Sequence, residues 1–205
     1  MANPSLLAVF IPTFFLVSLS PGMCMTLSLT LGMTIGVRRT MWMMGGELIG
    51  VALVATAAVI GAASLLLAHP LLFAFLRFAG AGYLLYLGIR LWRSAGGLSF
   101  STQPSRNMGR RNLALQGFLT AVANPKGWAF MIALLPPFID QGLPLLPQLT
   151  ILLAVLLVIE FFCLVVYAGG GRRLRLLLEG RGGAHLLNRL AGAMMAGVGI
   201  WLAIA

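Results

Sequence analysis

Acidic side chains are nearly missing from this chain, with four Asp and Glu in 205 residues against fourteen Lys and Arg, and charged residues make up only 9% of the total. A soluble domain of this length needs a charged, mixed surface, so the shortage excludes that class. Cysteine is equally scarce. Cys24 and Cys163 stand far apart with no Cys-x-x-Cys spacing, which leaves two inert buried thiols and no disulfide framework. His69, before Pro70 in a short external turn, and His185 are isolated, and Asp140 reads as a solvated turn residue, so no metal is expected. No glycine-rich nucleotide loop of the GxxxxGK kind occurs, which removes direct use of ATP unless a partner subunit supplies it, and no other cofactor is expected. Residues 1–37 carry no ionisable side chain. The first apolar run therefore lacks the basic flank of a secretory signal and reads as a membrane helix.

What is present is apolar sequence: 60% of residues are hydrophobic and the mean hydropathy is +1.00, the composition of a polytopic membrane protein. Six apolar segments lie near 5–30, 42–67, 71–92, 112–135, 147–170 and 185–205, each about the 20 residues that a bilayer core demands. Only sixteen residues follow Arg189, and at about 1.5 Å each they reach about 24 Å, short of a roughly 30 Å core. The sixth helix must then begin before Arg189, leaving Arg189, like Arg77 in the third, inside the first turns and able to snorkel to headgroups.

The arginines orient these helices. Arg38 and Arg39 follow the first; Arg90, Arg93, Arg106, Arg110 and Arg111 bracket the third connection; Arg172, Arg173, Arg175, Arg181 and Arg189 bracket the fifth. Positive-inside bias places those three connections in the cytoplasm and both termini outside. The net charge of +10 is explained by this topology and by anionic lipid headgroups. Spread over three short loops without interleaved aromatics, it is no nucleic-acid surface. The longest connection, 93–111, holds Gly96, Gly97, Ser99, Ser101, Thr102, Pro104 and Ser105 and reads as a flexible cytoplasmic linker between half one (1–92) and half two (112–205) of a single transmembrane domain.

Two interruptions stand at matching places in the halves. Phe14 precedes Pro21 of Ser20-Pro21-Gly22 by seven positions, and Phe118 precedes Pro125 of Asn124-Pro125-Lys126 by the same seven, an offset of 104. A second echo sets Arg77-Phe78-Ala79-Gly80-Ala81 against Arg189-Leu190-Ala191-Gly192-Ala193 at an offset of 112. Proline removes a backbone donor and crowds the preceding turn, so it survives in lipid only where protein or a cavity satisfies the freed groups. The expected fold is all-α: six transmembrane helices as a 3+3 inverted-topology repeat, with helices 1 and 4 broken at a central site.

Ionisable residues inside the segments are the site candidates. Lys126, the only lysine, lies about fourteen residues, some 21 Å of rise, into the fourth segment, where a charge is normally paired or faces water. Glu160 lies about twelve residues into the fifth segment, near mid-bilayer and close in depth to Lys126. Glu47 lies about five residues into the second, at the depth of Pro21 and Gly22 and shallow enough to snorkel. Either carboxyl is a candidate to carry the proton of an ion-coupled cycle. A buried ion pair that only ties helices together is the structural alternative for Lys126. Tyr83, Tyr86 and Tyr167 could bind a polar ligand, although packing is their commoner role.

Ser20-Pro21-Gly22, the Gly46-Glu47 step, Gly80-Ala81-Gly82-Tyr83-Leu84 with Gly88, and Asn124-Pro125-Lys126 leading to Pro136-Pro137-Phe138 together resemble the lysine exporter and homoserine/threonine exporter family (LysE/RhtB). The resemblance runs over nearly the whole chain. It implies a bacterial inner-membrane exporter of an amino acid or derivative, driven by protons. Two departures are visible: Met23 stands where the family usually has a second proline, and Glu47 where it usually has Asp. On this reading Ser20, Pro21, Gly22, Glu47, Asn124, Pro125, Lys126 and Glu160 form the substrate and ion site. The half-helix amino ends and Lys126 suit a carboxylate; Glu47, Glu160 and freed carbonyls suit an ammonium. The partners are then a small amino-acid substrate, protons and the bilayer, and self-association is compatible with the sequence. Two other readings are a transmembrane thiol-disulfide protein, which would need a reactive cysteine near each break, and a non-transporting scaffold.

Overall fold

All regular structure is helical in the computed structural model, which describes residues 4–68, 70–93, 108–140, 142–179 and 183–204. The chain runs through α1 (Pro4–Leu19), α2 (Met23–Ile35), α3 (Val37–Ala68), α4 (Pro70–Arg93), α5 (Arg110–Val122), α6 (Pro125–Leu134), a 3-10 turn at Pro136–Phe138, α7 (Leu145–Glu179) and α8 (Gly183–Ile204). All six apolar segments fall on helices, the first divided between α1 and α2 and the fourth between α5 and α6. Two stretches, Val37–Gly61 and Leu145–Gly171, are each long and apolar enough to cross a membrane, and α1 with α2 passes the same test as a pair bent by 56°. The chain is an all-helical, multi-pass membrane protein. His69 and most of the expected linker, residues 94–107, lie outside the described residues.

Proline heads α1, α4 and α6, where its missing N–H is one the helix leaves unpaired anyway. α8 begins at Gly183, ahead of Arg189 as the length argument required. The Arg189 guanidinium lies 5.8 Å from the centre of the Trp92 ring at the end of α4, so its side chain lies over an aromatic ring. α7 is kinked at Gly171 (φ 48°, ψ −140°), one residue past the apolar segment read from sequence.

The tightest helix contact joins α3 to α5. A Cβ on Gly46 would overlap the Ala114 carbonyl, and one on Gly117 would overlap the Met43 carbonyl. Small residues from both sides let the two backbones meet, which is how helices associate where no hydrophobic effect drives them together.

Two apolar clusters divide the interior along the helix axes. One gathers Phe10, Phe14 and Val17 of α1, Val54 and Ala55 of α3, Phe130 of α6 and Leu152 and Leu156 of α7. The other gathers Cys24 and Leu29 of α2, Met43 and Met44 of α3, Leu113 of α5 and Cys163, Leu164 and Tyr167 of α7. Along α1 and α2, α3, α5 and α6, and α7 the chain passes from one cluster to the other at residues 18–22, Glu47, Asn124 to Lys126, and Glu160. The outward side chains of Ile49, Leu71, Val158 and Ile204 are exposed, as suits contact with lipid.

Candidate substrate site

The first interruption forms because Pro21 cannot donate to the carbonyl of Val17. That carbonyl is taken instead by the Ser20 hydroxyl at 2.7 Å and the Ser20 amide at 3.2 Å. One turn end remains, and the Leu19 carbonyl accepts from the Tyr167 hydroxyl of α7 at 2.7 Å. Gly22 then starts α2 in extended backbone (φ −139°, ψ −175°) and gives no side-chain cap.

Chemistry differs at the second interruption. Asn124 is the N-cap of α6, its side-chain oxygen accepting from the Lys126 amide at 3.1 Å, while Pro125 fills the first helical position. The Val122 carbonyl, freed at the end of α5, accepts from the Trp128 indole at 2.7 Å.

The two interruptions meet. Lys126 Nζ donates to Ser20 Oγ at 2.5 Å, and Asn124 Nδ2 points at Cys24 Sγ at 3.9 Å, too far for more than a weak bond. Around this contact lies a cavity of about 70 Å³. Since ~10–15 Å³ is the least that admits one water, it has room for several. Ser20, Gly22, Glu47, Asn124, Lys126 and Glu160 all line it, and Phe14, Val17, Val51, Phe130 and Met131 supply apolar wall. Pro21 and Pro125 do not line the cavity; they set the breaks on either side of it.

Glu47 departs from expectation. Far from snorkelling, its side chain has no exposed surface, and α2, α5 and α7 all pack against α3. Neither of its oxygens has a hydrogen-bond partner. Its carboxyl faces those of Glu160 and the thiol of Cys24, although counting residues along straight helices had set Glu47 and Glu160 at different depths. Glu160 in turn faces the Ser18 hydroxyl and lies in the field of Lys126.

Cys163 is buried in α7 and Cys24 at the cavity wall, and both thiols are free. Tyr167 proves to be a structural ligand of the first break. Ser18 and Trp128 were missed in the sequence: serine is common in membrane helices, and nothing in one dimension says which carbonyl an indole will reach. Asp140 is a half-buried turn residue whose carboxylate accepts from the Gly142 amide at 2.9 Å, and the buried Gln148 ties this turn down through both ends of its amide.

The arrangement offers an uncapped helix start with an ammonium beside it, facing two carboxyls across a small cavity. Such a site can hold a molecule carrying both signs of charge. Residues 15–205 match the family described as LysE type translocator. Over 196 residues the chain is 30% identical to the homoserine/homoserine lactone efflux protein of Salmonella typhimurium, covering 96% of this chain and 95% of that one. It is 30% identical to the protein of the same name from Salmonella typhi, over the same 96% and 95%. An uncharacterized membrane protein of Vibrio cholerae is 29% identical over 96% and 95%. No solved structure matches the chain.

Proposed function

The chain belongs to the LysE type translocator family, and on that premise we propose that it exports an amino acid or a close derivative from the cytoplasm in exchange for protons. A translocator releases its cargo unchanged, so the chain is not an enzyme. One observation carries the reading: the Lys126 to Ser20 bond closes two interrupted helices around a cavity that also contains Glu47 and Glu160. The relatives' efflux of homoserine and its lactone suggests a short, polar amino compound as cargo.

In this reading α1 with α2 and α5 with α6 are the broken first and fourth spans of an inverted repeat, within one transmembrane domain made of halves 1–92 and 112–205. Packing supports the pairing of halves. α3 packs on both parts of the fourth span and α7 on both parts of the first, while α3 packs on α7 and α4 on α8; these pairs exchange with the halves, whereas the packing of α3 on α2, α4 on α6 and α8 on α1 does not. The protein sits in the bacterial inner membrane with both termini periplasmic. In that orientation α1 and α6 are the outer half-helices, and they are the ones against which α8 and α4 lean.

The substrate carboxylate binds between Lys126 and the open amides at the start of α2, where the helix dipole adds about half a positive charge. Its ammonium binds at the carboxyls. Rocking of α4 and α8 from the outer to the inner half-helices opens the same cavity to the other side.

Purified protein in liposomes tests this reading. With an inward proton gradient it should move labelled L-homoserine or its lactone against a concentration gradient, and a proton conductor should stop the accumulation. Absence of gradient-driven movement for every amino compound tried would end the export proposal. A reporter active only outside the cytoplasm should work after Ala205 and fail within residues 96–105; the opposite pattern would remove the orientation.

A further inference from the structure

The central cavity does not balance its charge. Lys126 brings one positive charge, Glu47 and Glu160 two negative ones, and the Lys126 ammonium is already bonded to Ser20. Glu47 has no exposed surface, and neither of its oxygens has a strong donor within hydrogen-bond geometry. A buried carboxylate without a partner is among the most costly groups a protein can hold. Glu160 beside it can donate to Glu47 only if a proton lies between them, since two ionised carboxylates are both acceptors. The other facing groups do not solve this. From α2 comes the Cys24 thiol, a weak donor. From α7 come Cys163 and Tyr167, whose hydroxyl is given to Leu19. α6 brings Lys126, the arginines of α5 are exposed at its far end, and α1 has no titratable side chain.

We propose that Glu47 and Glu160 form one site for a single exchangeable cation, occupied by a proton when the cavity is empty and by the ammonium group of the cargo when it is loaded. This rests on the export reading and adds what export alone does not require. Proton and cargo use the same place in turn, so each cargo ammonium that arrives from the cytoplasm releases one proton there. On the outer side a proton enters the pair and the ammonium leaves. Only an O–H bond is made or broken. One ammonium replaces one proton at the pair, and a state with neither cation is too costly to cross the membrane, which prevents an empty return.

Dicyclohexylcarbodiimide tests the site directly, because it adds to a protonated carboxyl in apolar surroundings and leaves a stable N-acylurea. The full chain in liposomes should take up one equivalent, on Glu47 or on Glu160 but not on both in the same molecule, as read by mass spectrometry. Methylammonium, the minimal ammonium probe, and L-homoserine should suppress the adduct, and their apparent affinity should fall about tenfold for each unit of pH lowered while the pair is protonated. Glu47→Gln should abolish the adduct at both positions, because its amide then donates to an ionised Glu160; Glu160→Gln should do the same in reverse. Two adducts in one chain, no adduct, or an adduct indifferent to both probes would overturn the proposal. Liposomes that move no amino compound yet carry a single adduct suppressed by methylammonium would end the export reading and keep the cation site. Transport with an insensitive adduct would do the opposite.

Discussion

The two helix breaks solve the same backbone problem in different ways. At the second, the repair is local: Asn124 caps the amide two residues on and Trp128 reaches back six residues to Val122. At the first, only part of the repair is local: Ser20 takes the Val17 carbonyl, and the rest is borrowed from the other half of the chain. Tyr167 supplies the donor for Leu19 across 148 positions, and Lys126 bonds Ser20 across 106. A break closed by its own residues can form early and stay closed; a break completed by remote ones changes whenever the halves move. If the protein exports by moving its halves, the first break, with its uncapped α2, is expected to be the responsive wall of the cavity and the second its fixed counterpart.

The largest effect that would test this asymmetry is expected at Lys126, the residue that stands on the fixed break and serves the responsive one. Hydrogen bonds to charged groups contribute about 1.5–3 kcal/mol, so Lys126→Ala should lower export about 10- to 100-fold. Its abundance in the membrane should stay close to the parent's, because Asn124 still caps α6. Export at the parent rate would remove Lys126 from the site, and disappearance of the protein from the membrane would favour a purely structural ion-pair role.

Next in size is a matched pair of deletions. Tyr167→Phe and Trp128→Phe each strand one part-buried carbonyl, and each should lower stability in detergent by about 1–3 kcal/mol. Only the first deletion cuts a tie between the halves. Tyr167→Phe should therefore lower export several-fold beyond its effect on abundance, and Trp128→Phe should leave export per molecule unchanged. Equal effects on transport would mean that the breaks do not differ in role.

A smaller effect is expected at the fixed break itself. Asn124→Ser keeps an N-cap oxygen and should be near neutral, whereas Asn124→Ala should cost about 1 kcal/mol of stability. A thermal unfolding series in detergent would separate them, and identical midpoints would show that the cap contributes nothing.

Where these breaks lie was legible from residues alone, because proline chemistry acts within one turn of the chain. Glu47 shows where such reading ends. Its depth was judged on a straight helix normal to the membrane, and α3 meets α5 so closely at Gly46 and Gly117 that the carboxyl is buried beneath its neighbours and faces Glu160. Tyr167 was read as a packing or ligand residue because its partner, a freed carbonyl on α1, is defined only once the first break exists in three dimensions. One-dimensional reasoning finds the groups that need partners; it does not assign partners across the halves.

The smallest expected effect concerns the thiols, and it bears on the responsive break because Cys24 lies beside it. A thiol-disulfide protein would need its two sulfurs to reach one another or a shared partner. Here Cys24 faces Asn124 and Glu47 at the cavity wall, while Cys163 is buried with no exposed surface, and neither is paired. The Asn124 to Cys24 contact at 3.9 Å is too long to contribute much, and Cys24→Ala removes a weak donor without stranding a strong one. The double variant Cys24→Ala, Cys163→Ala should therefore export L-homoserine within about twofold of the parent, a change of about 0.4 kcal/mol at most. Flux in liposomes under an imposed proton gradient, with and without reductant, measures this. Loss of flux at normal abundance, together with a reductant-sensitive mobility shift of the parent, would instead make the responsive wall a redox element.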